Sequence, residues 1–124
     1  MTATATPAEP AITVYHNPAC GTSRTVLAKL REAGHAPRVV EYLKVGWTPG
    51  ELAGLLAAMD AEPKDILREK EALAAELGLL EGGATDDQIL DAMVAHPVLV
   101  NRPIVVTSKG TRLCRPADLV LDLI

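Results

Sequence analysis

The hydrophobic and polar positions near the start of the chain alternate between strand and helix patterns. Residues 12–15 form a short apolar run that predicts a strand, and residues 22–33 carry apolar side chains at the i, i+3, i+4 spacing of an amphipathic helix. The β-branched run at residues 38–43 predicts a second strand. A strand, a helix and a strand in close succession form a βαβ unit, for which parallel pairing of the strands is expected.

The middle of the chain, about residues 48–96, carries helical patterns only. The sequences TPGE at 48–51 and TDDQ at 85–88 each place a threonine three positions before a Glu or Gln, which is the pattern of a capping box. Each therefore predicts the start of a helix. Shorter helices are predicted over residues 64–68 and 72–77, so this stretch is expected to be an all-helical insertion.

The C-terminal part of the chain returns to strand patterns. The runs at residues 98–100 and 104–107 are apolar and β-branched, as is typical of strands, and residues 111–114 predict a last strand that forms an antiparallel hairpin with residues 104–107. A final helix is predicted over residues 116–124. The order β-α-β, helical insertion, β-β-α predicts an α/β fold with a four-stranded mixed sheet.

The composition narrows the class of protein. The 124 residues are 48% hydrophobic and only 2% aromatic, which predicts one domain, residues 11–124, with an aliphatic core. Residues 1–10 lack the basic and apolar regions of a secretory signal. They are expected to form a disordered leader. No apolar run approaches the roughly 18 residues of a membrane-spanning helix. Two distant cysteines form no disulfide framework, so we expect a cytoplasmic protein with no membrane partner.

The net charge of −4 argues against nucleic acid as a partner. It does not exclude an anionic small-molecule substrate, because local arginines can override the negative charge of the whole chain.

Cys20 is the candidate nucleophile. It follows a turn-type run and precedes the first predicted helix, with Thr22 as the expected N-cap. Unpaired backbone N–H groups and the helix dipole favour a thiolate at such a position. A buried structural cysteine is the alternative interpretation. Ser23 stands where a CxxC motif has its second cysteine, so a local disulfide is excluded, and Cys114 is interpreted as a packing residue.

Two arginines and a histidine are candidates to support Cys20. Arg102 and Arg115 each stand beside a proline at the end of an apolar strand, in loops that approach the end of the first strand in the predicted sheet. Guanidinium groups converging there would hold a tetrahedral oxyanion by charge-assisted hydrogen bonds. His16 either supports the thiolate or binds backbone at the strand end. The spacing of the three histidines matches no metal-ligand pattern, so no metal site is predicted.

Several multi-residue motifs extend the prediction beyond single residues. They lie at residues 15–24, 85–88, 96–97, 101–107 and 110–116. Together they closely resemble the glutaredoxin-coupled arsenate reductases, and the resemblance extends from about residue 12 to the C-terminus.

This resemblance implies a thioredoxin-like fold with a helical insertion and the reduction of arsenate to arsenite. It implies glutathione as reducing co-substrate and glutaredoxin as partner, with no bound cofactor. The family's nucleophile falls on Cys20, and the histidine that influences its ionisation falls on His16. Pro103 takes the place of the cis-proline found beside the active site in this fold. The three oxyanion-binding arginines fall on Arg68, Arg102 and Arg115, although no pattern singles out Arg68.

Three alternatives remain open at this stage. Cys114 could resolve Cys20 through a disulfide that thioredoxin then reduces. A protein of the same fold could instead be a non-catalytic redox regulator that binds a protein partner such as RNA polymerase. The substrate could also be another oxyanion or a glutathionylated thiol.

Overall fold

The computed structural model describes residues 12–80 and 82–124, so the leader predicted at residues 1–10 lies outside the described residues. The chain forms two compact units. The first holds the described residues up to Glu41 together with Arg102–Ile124, and the second is Tyr42–Asn101. The second unit contains the stretch predicted as a helical insertion, and the single-domain interpretation stays a prediction.

The first unit is built on a four-stranded sheet in the order β2-β1-β3-β4. Strand β1 pairs parallel with β2 and antiparallel with β3, and β3 pairs antiparallel with β4. The mixed sheet, the βαβ unit and the C-terminal hairpin are therefore confirmed. The elements are β1 (Thr13–His16), α1 (Gly21–Glu32), β2 (Arg38–Glu41), β3 (Ile104–Thr107), β4 (Gly110–Leu113) and the 3₁₀ helix Ala117–Leu123.

An aliphatic core holds α1 against this sheet. The apolar stripe of α1 packs with inward-facing residues of the central strands and of the C-terminal 3₁₀ helix. The buried members of this cluster are Val14, Val26, Leu27, Leu30, Val105, Cys114, Val120 and Leu123. The helix ends at Glu32, and Gly34, which follows the C-cap Ala33, has a φ of +90°, the left-handed conformation that favours glycine after a helix.

The ends of two predicted elements differ from the structure. Strand β2 ends at Glu41, and residues 42 and 43, predicted as its continuation, belong to a short helix. The C-terminal segment is a 3₁₀ helix rather than the α-helix predicted over residues 116–124. Residues three apart lie on one face of a 3₁₀ helix, so this geometry buries Val120 and Leu123 together.

The second unit is helical, as predicted. Its elements are α2 (Tyr42–Val45), α3 (Pro49–Met59), the 3₁₀ helix Pro63–Ile66, α4 (Ala72–Glu76), α5 (Asp86–Ala95) and the 3₁₀ helix Pro97–Leu99. Both capping boxes are present. The Thr48 hydroxyl accepts from the Glu51 N–H at 3.1 Å, and the Thr85 hydroxyl accepts from the Gln88 N–H at 3.1 Å.

Two short stretches of the second unit differ from what their sequence patterns indicate. Residues 98–100 do not form a strand, because Pro97 starts a 3₁₀ turn in which the Val100 N–H donates to the Pro97 carbonyl at 3.0 Å. Val100 keeps only an isolated bridge to Leu67. The helix predicted over residues 64–68 is a 3₁₀ helix that ends at Ile66. No helix within the described residues is long and apolar enough to cross a membrane.

Candidate active site

Cys20 is the N-cap residue of α1. The helix begins at Gly21, and the Arg24 N–H already donates to the Cys20 carbonyl at 3.0 Å. The prediction of Thr22 as N-cap is therefore wrong by two residues, because the first helical hydrogen bond forms earlier than the capping preference of threonine suggests. This shift places the sulfur on the residue that caps the helix. The half-buried thiol lies where the helix dipole is most positive.

The loop before α1 holds Cys20 in this position. Asn17 makes two of the bonds that shape the loop: its carbonyl accepts from the Cys20 N–H at 3.0 Å, and its side-chain oxygen accepts from the Ala19 N–H at 2.9 Å. A side-chain amide that closes such a turn replaces a backbone hydrogen bond. The sequence Asn17-Pro18-Ala19 thus gives Cys20 a defined starting geometry.

The arginine predicted from the C-terminal loop lies beside the sulfur. Arg115 Nη1 is 3.5 Å from Cys20 Sγ and donates to the Arg102 carbonyl at 2.9 Å. Burial alone raises the pKa of the Cys20 thiol. The Ser23 N–H, the guanidinium groups of Arg115 and Arg102, and the Thr22 N–H outweigh it, so the net pKa is lowered. Neither the Ser23 N–H nor the Thr22 N–H makes a full capping hydrogen bond to the Cys20 sulfur. The thiolate is therefore favoured by charge and dipole together.

The sheet topology explains this convergence. The end of β1 and the start of β3 meet in the pair Tyr15–Ile104, and the start of β3 meets the end of β4 in the pair Ile104–Leu113. Arg102 precedes β3 and Arg115 follows β4. Both arginines therefore lie at the end of the sheet where β1 runs into the loop before Cys20. The peptide bond between Arg102 and Pro103 is cis, as the resemblance implied, and the Arg115–Pro116 bond is cis as well.

His16 contacts Ser23, a partner that the sequence did not indicate for it. Its Nδ1 lies 2.7 Å from the hydroxyl oxygen of Ser23, which also accepts from the Asn17 N–H at 3.2 Å. All three residues are buried. Burial lowers the pKa of His16, the Glu41 carboxylate opposes this, and nearby arginines lower it further. The imidazole is therefore held largely neutral near pH 7, and its influence on Cys20 stays a prediction.

One feature of the sequence indicates that Ser23 needs an internal hydrogen-bond partner. Ser23 lies on the same helical stripe as Val26, Leu27 and Leu30, at i, i+3, i+4 and i+7, and that stripe faces the core. A serine on a buried stripe needs an internal partner, and here the partners are His16 and the Asn17 N–H.

Replacing Ser23 with alanine is expected to cost about 1–3 kcal/mol of unfolding free energy, because it leaves the Asn17 N–H buried without this partner. The Ser23 N–H that faces the sulfur is retained. Ser108→Ala, at an exposed turn, is the matched control and should stay within about 0.5 kcal/mol of wild type. Urea unfolding of both variants measures the difference. Equal stability of the two variants would contradict the role of this hydroxyl.

Arg68 belongs to the second unit. There its Nη1 donates to the side-chain oxygen of Asn101 at 3.2 Å, and its Nε lies 3.4 Å from a Glu71 carboxylate oxygen. Its backbone N–H donates to the Leu99 carbonyl at 2.7 Å. These contacts hold the half-buried guanidinium in one orientation. Its assignment to the anion site stays a prediction.

Cys114 is fully buried in the core of the first unit, as its interpretation as a packing residue requires. Burial raises the pKa of its thiol to about 11, so it is protonated near pH 7. Within residues 12–80 and 82–124, no three His, Cys, Asp or Glu side chains are placed to hold a metal ion.

Comparison with known proteins identifies the family. The sequence model of the ArsC family matches residues 15–123, which are nearly all of the residues that the structure describes. The chain belongs to the ArsC family. Among the proteins similar to it, the arsenate reductase ArsI2 of Synechocystis is 59% identical over 113 residues, which cover 91% of this chain and 81% of that protein. An arsenate reductase of Rhizobium meliloti is 51% identical over 91% of this chain and 81% of its own length.

A solved structure supports the same assignment. The arsenate reductase from Vibrio cholerae superposes on this ArsC chain with a TM-score of 0.86 at 38% identity, covering 91% of this chain and 97% of the other. The thioredoxin-like fold and the predicted family are thereby confirmed.

Proposed function

We propose that this ArsC protein reduces arsenate to arsenite through a covalent adduct on Cys20. The observation that carries the proposal is the placement of Arg115 Nη1 3.5 Å from Cys20 Sγ at the N-terminus of α1. A nucleophile with a lowered pKa beside a guanidinium suits an anionic electrophile. Similar proteins named arsenate reductase, at 49–59% identity, supply the identity of the anion.

Binding of the anion is the first step of the proposal. Arsenate carries two negative charges near neutral pH, and Arg102 and Arg115 would neutralise them while the first N–H groups of α1 donate hydrogen bonds to its oxygens. These donors are in place before the substrate arrives, so little reorganisation opposes the reaction.

The chemical steps balance as follows. The Cys20 thiolate attacks arsenic, a sulfur–arsenic bond forms, and one oxygen leaves as water after protonation. A glutathione thiolate then displaces a second oxygen, which also leaves as water after protonation, and a bond forms between the glutathione sulfur and arsenic. A glutaredoxin thiolate attacks the glutathione sulfur, the bond between that sulfur and arsenic breaks, and its electron pair stays on arsenic. Arsenic(V) becomes arsenic(III), and the two thiols become a mixed disulfide. Water finally displaces the Cys20 thiolate and arsenite leaves.

The proposed reductants place the reaction in the cytoplasm, where glutathione keeps thiols reduced. The decisive experiment measures arsenite formed by the purified protein with glutathione and glutaredoxin, and separately with thioredoxin. Turnover with the first pair and not with thioredoxin supports the proposal. Turnover with thioredoxin alone would contradict the coupling, and no arsenite with either donor would contradict the activity.

Cys114 is a poor candidate for a resolving thiol. A buried thiol whose pKa is raised to about 11 supplies little thiolate to attack a partner. We therefore expect Cys114→Ala to keep activity with glutathione and glutaredoxin within about twofold of wild type, at a cost of about 1 kcal/mol from the lost packing. Steady-state arsenite formation and thermal unfolding measure the two effects. A tenfold loss of turnover in the folded variant would instead support a Cys20–Cys114 disulfide.

A further inference from the structure

A groove of about 500 Å³ on the first unit is not used by the reaction steps above. It runs along α1, and it is referred to below as the α1 groove. Leu27 and Ala28 line its middle, Arg24, Arg31 and Glu32 supply its charges, and His16 and Pro18 line it from β1 and the following loop. Clefts of this volume are typical of small-molecule sites.

The two cations of the α1 groove lie on one side of the helix. Arg24 and Arg31 are seven residues apart, which is two helical turns and an axial separation of about 10.5 Å. Both side chains are exposed, and both guanidinium groups contribute to lowering the pKa of His16, so both lie on the His16 side of α1. Glu32 adds a carboxylate next to Arg31 only.

One end of the groove adjoins the nucleophile's loop. Arg24 Nη1 donates to the Pro18 carbonyl at 2.8 Å, and its Nη2 lies 3.8 Å from where a Cβ on Gly21 would stand. The loop that carries Pro18 leads directly to Cys20. The α1 groove therefore begins at the loop that precedes the thiol, although Cys20 itself does not line it.

We propose that the α1 groove binds glutathione, with its γ-glutamyl end at Arg31 and Glu32 and its glycyl carboxylate at Arg24. The γ-glutamyl end carries both a carboxylate and an ammonium group, which match an adjacent arginine and glutamate. The other end carries a carboxylate alone, which matches a lone arginine. An extended tripeptide spans about 10 Å, close to the axial separation of the two arginine backbone positions on α1. The proposal rests on the proposed function in that glutathione is the reductant.

Binding is tested without turnover. The probe is S-methylglutathione, whose sulfur is blocked, titrated into ¹⁵N-labelled protein and followed by NMR. We expect saturable shifts of backbone amides along α1, centred on Leu27 and Ala28. Arg31→Ala should raise Kd about fivefold to tenfold, since it removes a charge-assisted contact. Arg38→Ala, an exposed arginine of β2 outside the α1 groove, should leave Kd unchanged. Added salt should weaken binding.

The orientation of glutathione has its own test. Glu32→Gln removes the partner of the ammonium group and should raise Kd about twofold to fivefold. N-acetyl-S-methylglutathione lacks that ammonium and should bind wild type and Glu32→Gln equally. A similar loss for both probes would overturn the assigned orientation.

Turnover separates this site from the rest of the mechanism. In Arg31→Ala, the KM for glutathione should rise while the KM for arsenate stays at the wild-type value. Absence of shifts in wild type, or an equal Kd in wild type and Arg31→Ala, would overturn the site. A raised KM for glutaredoxin with an unchanged KM for glutathione would make the α1 groove a protein-docking surface instead. Failure of the proposed function would give a different result, which is that no arsenite forms. The binding titration contains no arsenate, so its outcome does not depend on that activity.

Discussion

Cys20→Ser is expected to lower arsenite formation by at least about a thousandfold, because a neutral hydroxyl replaces the thiolate that attacks arsenic. The fold should be retained. Cys20 is the N-cap of α1, and serine is among the residues preferred there, since its oxygen accepts from the first N–H groups of a helix. The thermal midpoint of the variant should therefore equal or exceed that of wild type.

The comparison requires a matched control and two measurements. Cys114→Ala removes the other cysteine from the core of the same unit and should remain active. Arsenite is quantified at saturating arsenate, glutathione and glutaredoxin, and unfolding is followed in parallel. If folded Cys20→Ser keeps a tenth or more of wild-type turnover, the covalent adduct on Cys20 is ruled out.

Arg115→Ala is expected to lower kcat/KM for arsenate by about a hundredfold to a thousandfold, the usual effect of removing one preorganised donor to a developing anion. The guanidinium acts twice at this position, since it would bind arsenate and it stabilises the thiolate 3.5 Å away. Its removal should raise the pKa of Cys20, which Arg115 helps to lower. The acid limb of the pH profile of kcat/KM should therefore move to higher pH, and the loss should be largest on the acid side.

Arg112→Ala is the matched control for this change. Arg112 lies on β4, three residues before Arg115, and its exposed guanidinium pairs with Asp122 at 3.2 Å rather than with the sulfur. It should keep wild-type kinetics. Arg115→Lys retains the charge but loses the planar fork, so it should recover part of the pH profile and little of the kcat/KM. A wild-type pH profile in Arg115→Ala would remove Arg115 from the site.

Local signals predicted most of the fold correctly. The capping boxes at Thr48 and Thr85 are visible in sequence because the bonds they make span only three residues. The βαβ unit and the hairpin follow from the order of strand and helix patterns. Residues 98–100 differ from their pattern because their β-branched composition favours a strand, while the proline before them starts a 3₁₀ turn.

The candidate site was only partly predictable, because local patterns mark residues at turns but not the contacts between distant segments. Cys20, Arg102 and Arg115 stand at turns, where proline and glycine mark their positions. Ser23 was missed as a partner of His16 because this contact joins a strand end to a helix. The position of Ser23 on the buried stripe of α1 shows that it needs an internal partner, but nothing local indicates which residue supplies it.

The sequence by itself determined that a single thiol precedes a helix, that Ser23 excludes a local disulfide, and that Arg115 follows the end of a strand. These properties depend on residue types and short spacings. Only the tertiary structure decided that Cys20 is the residue that caps α1 and that Arg115 lies 3.5 Å from its sulfur. That distance joins residues 95 positions apart, and it depends on the order in which β1, β3 and β4 pair. Strand order is set by which apolar faces pack together, and local sequence carries little information about that choice.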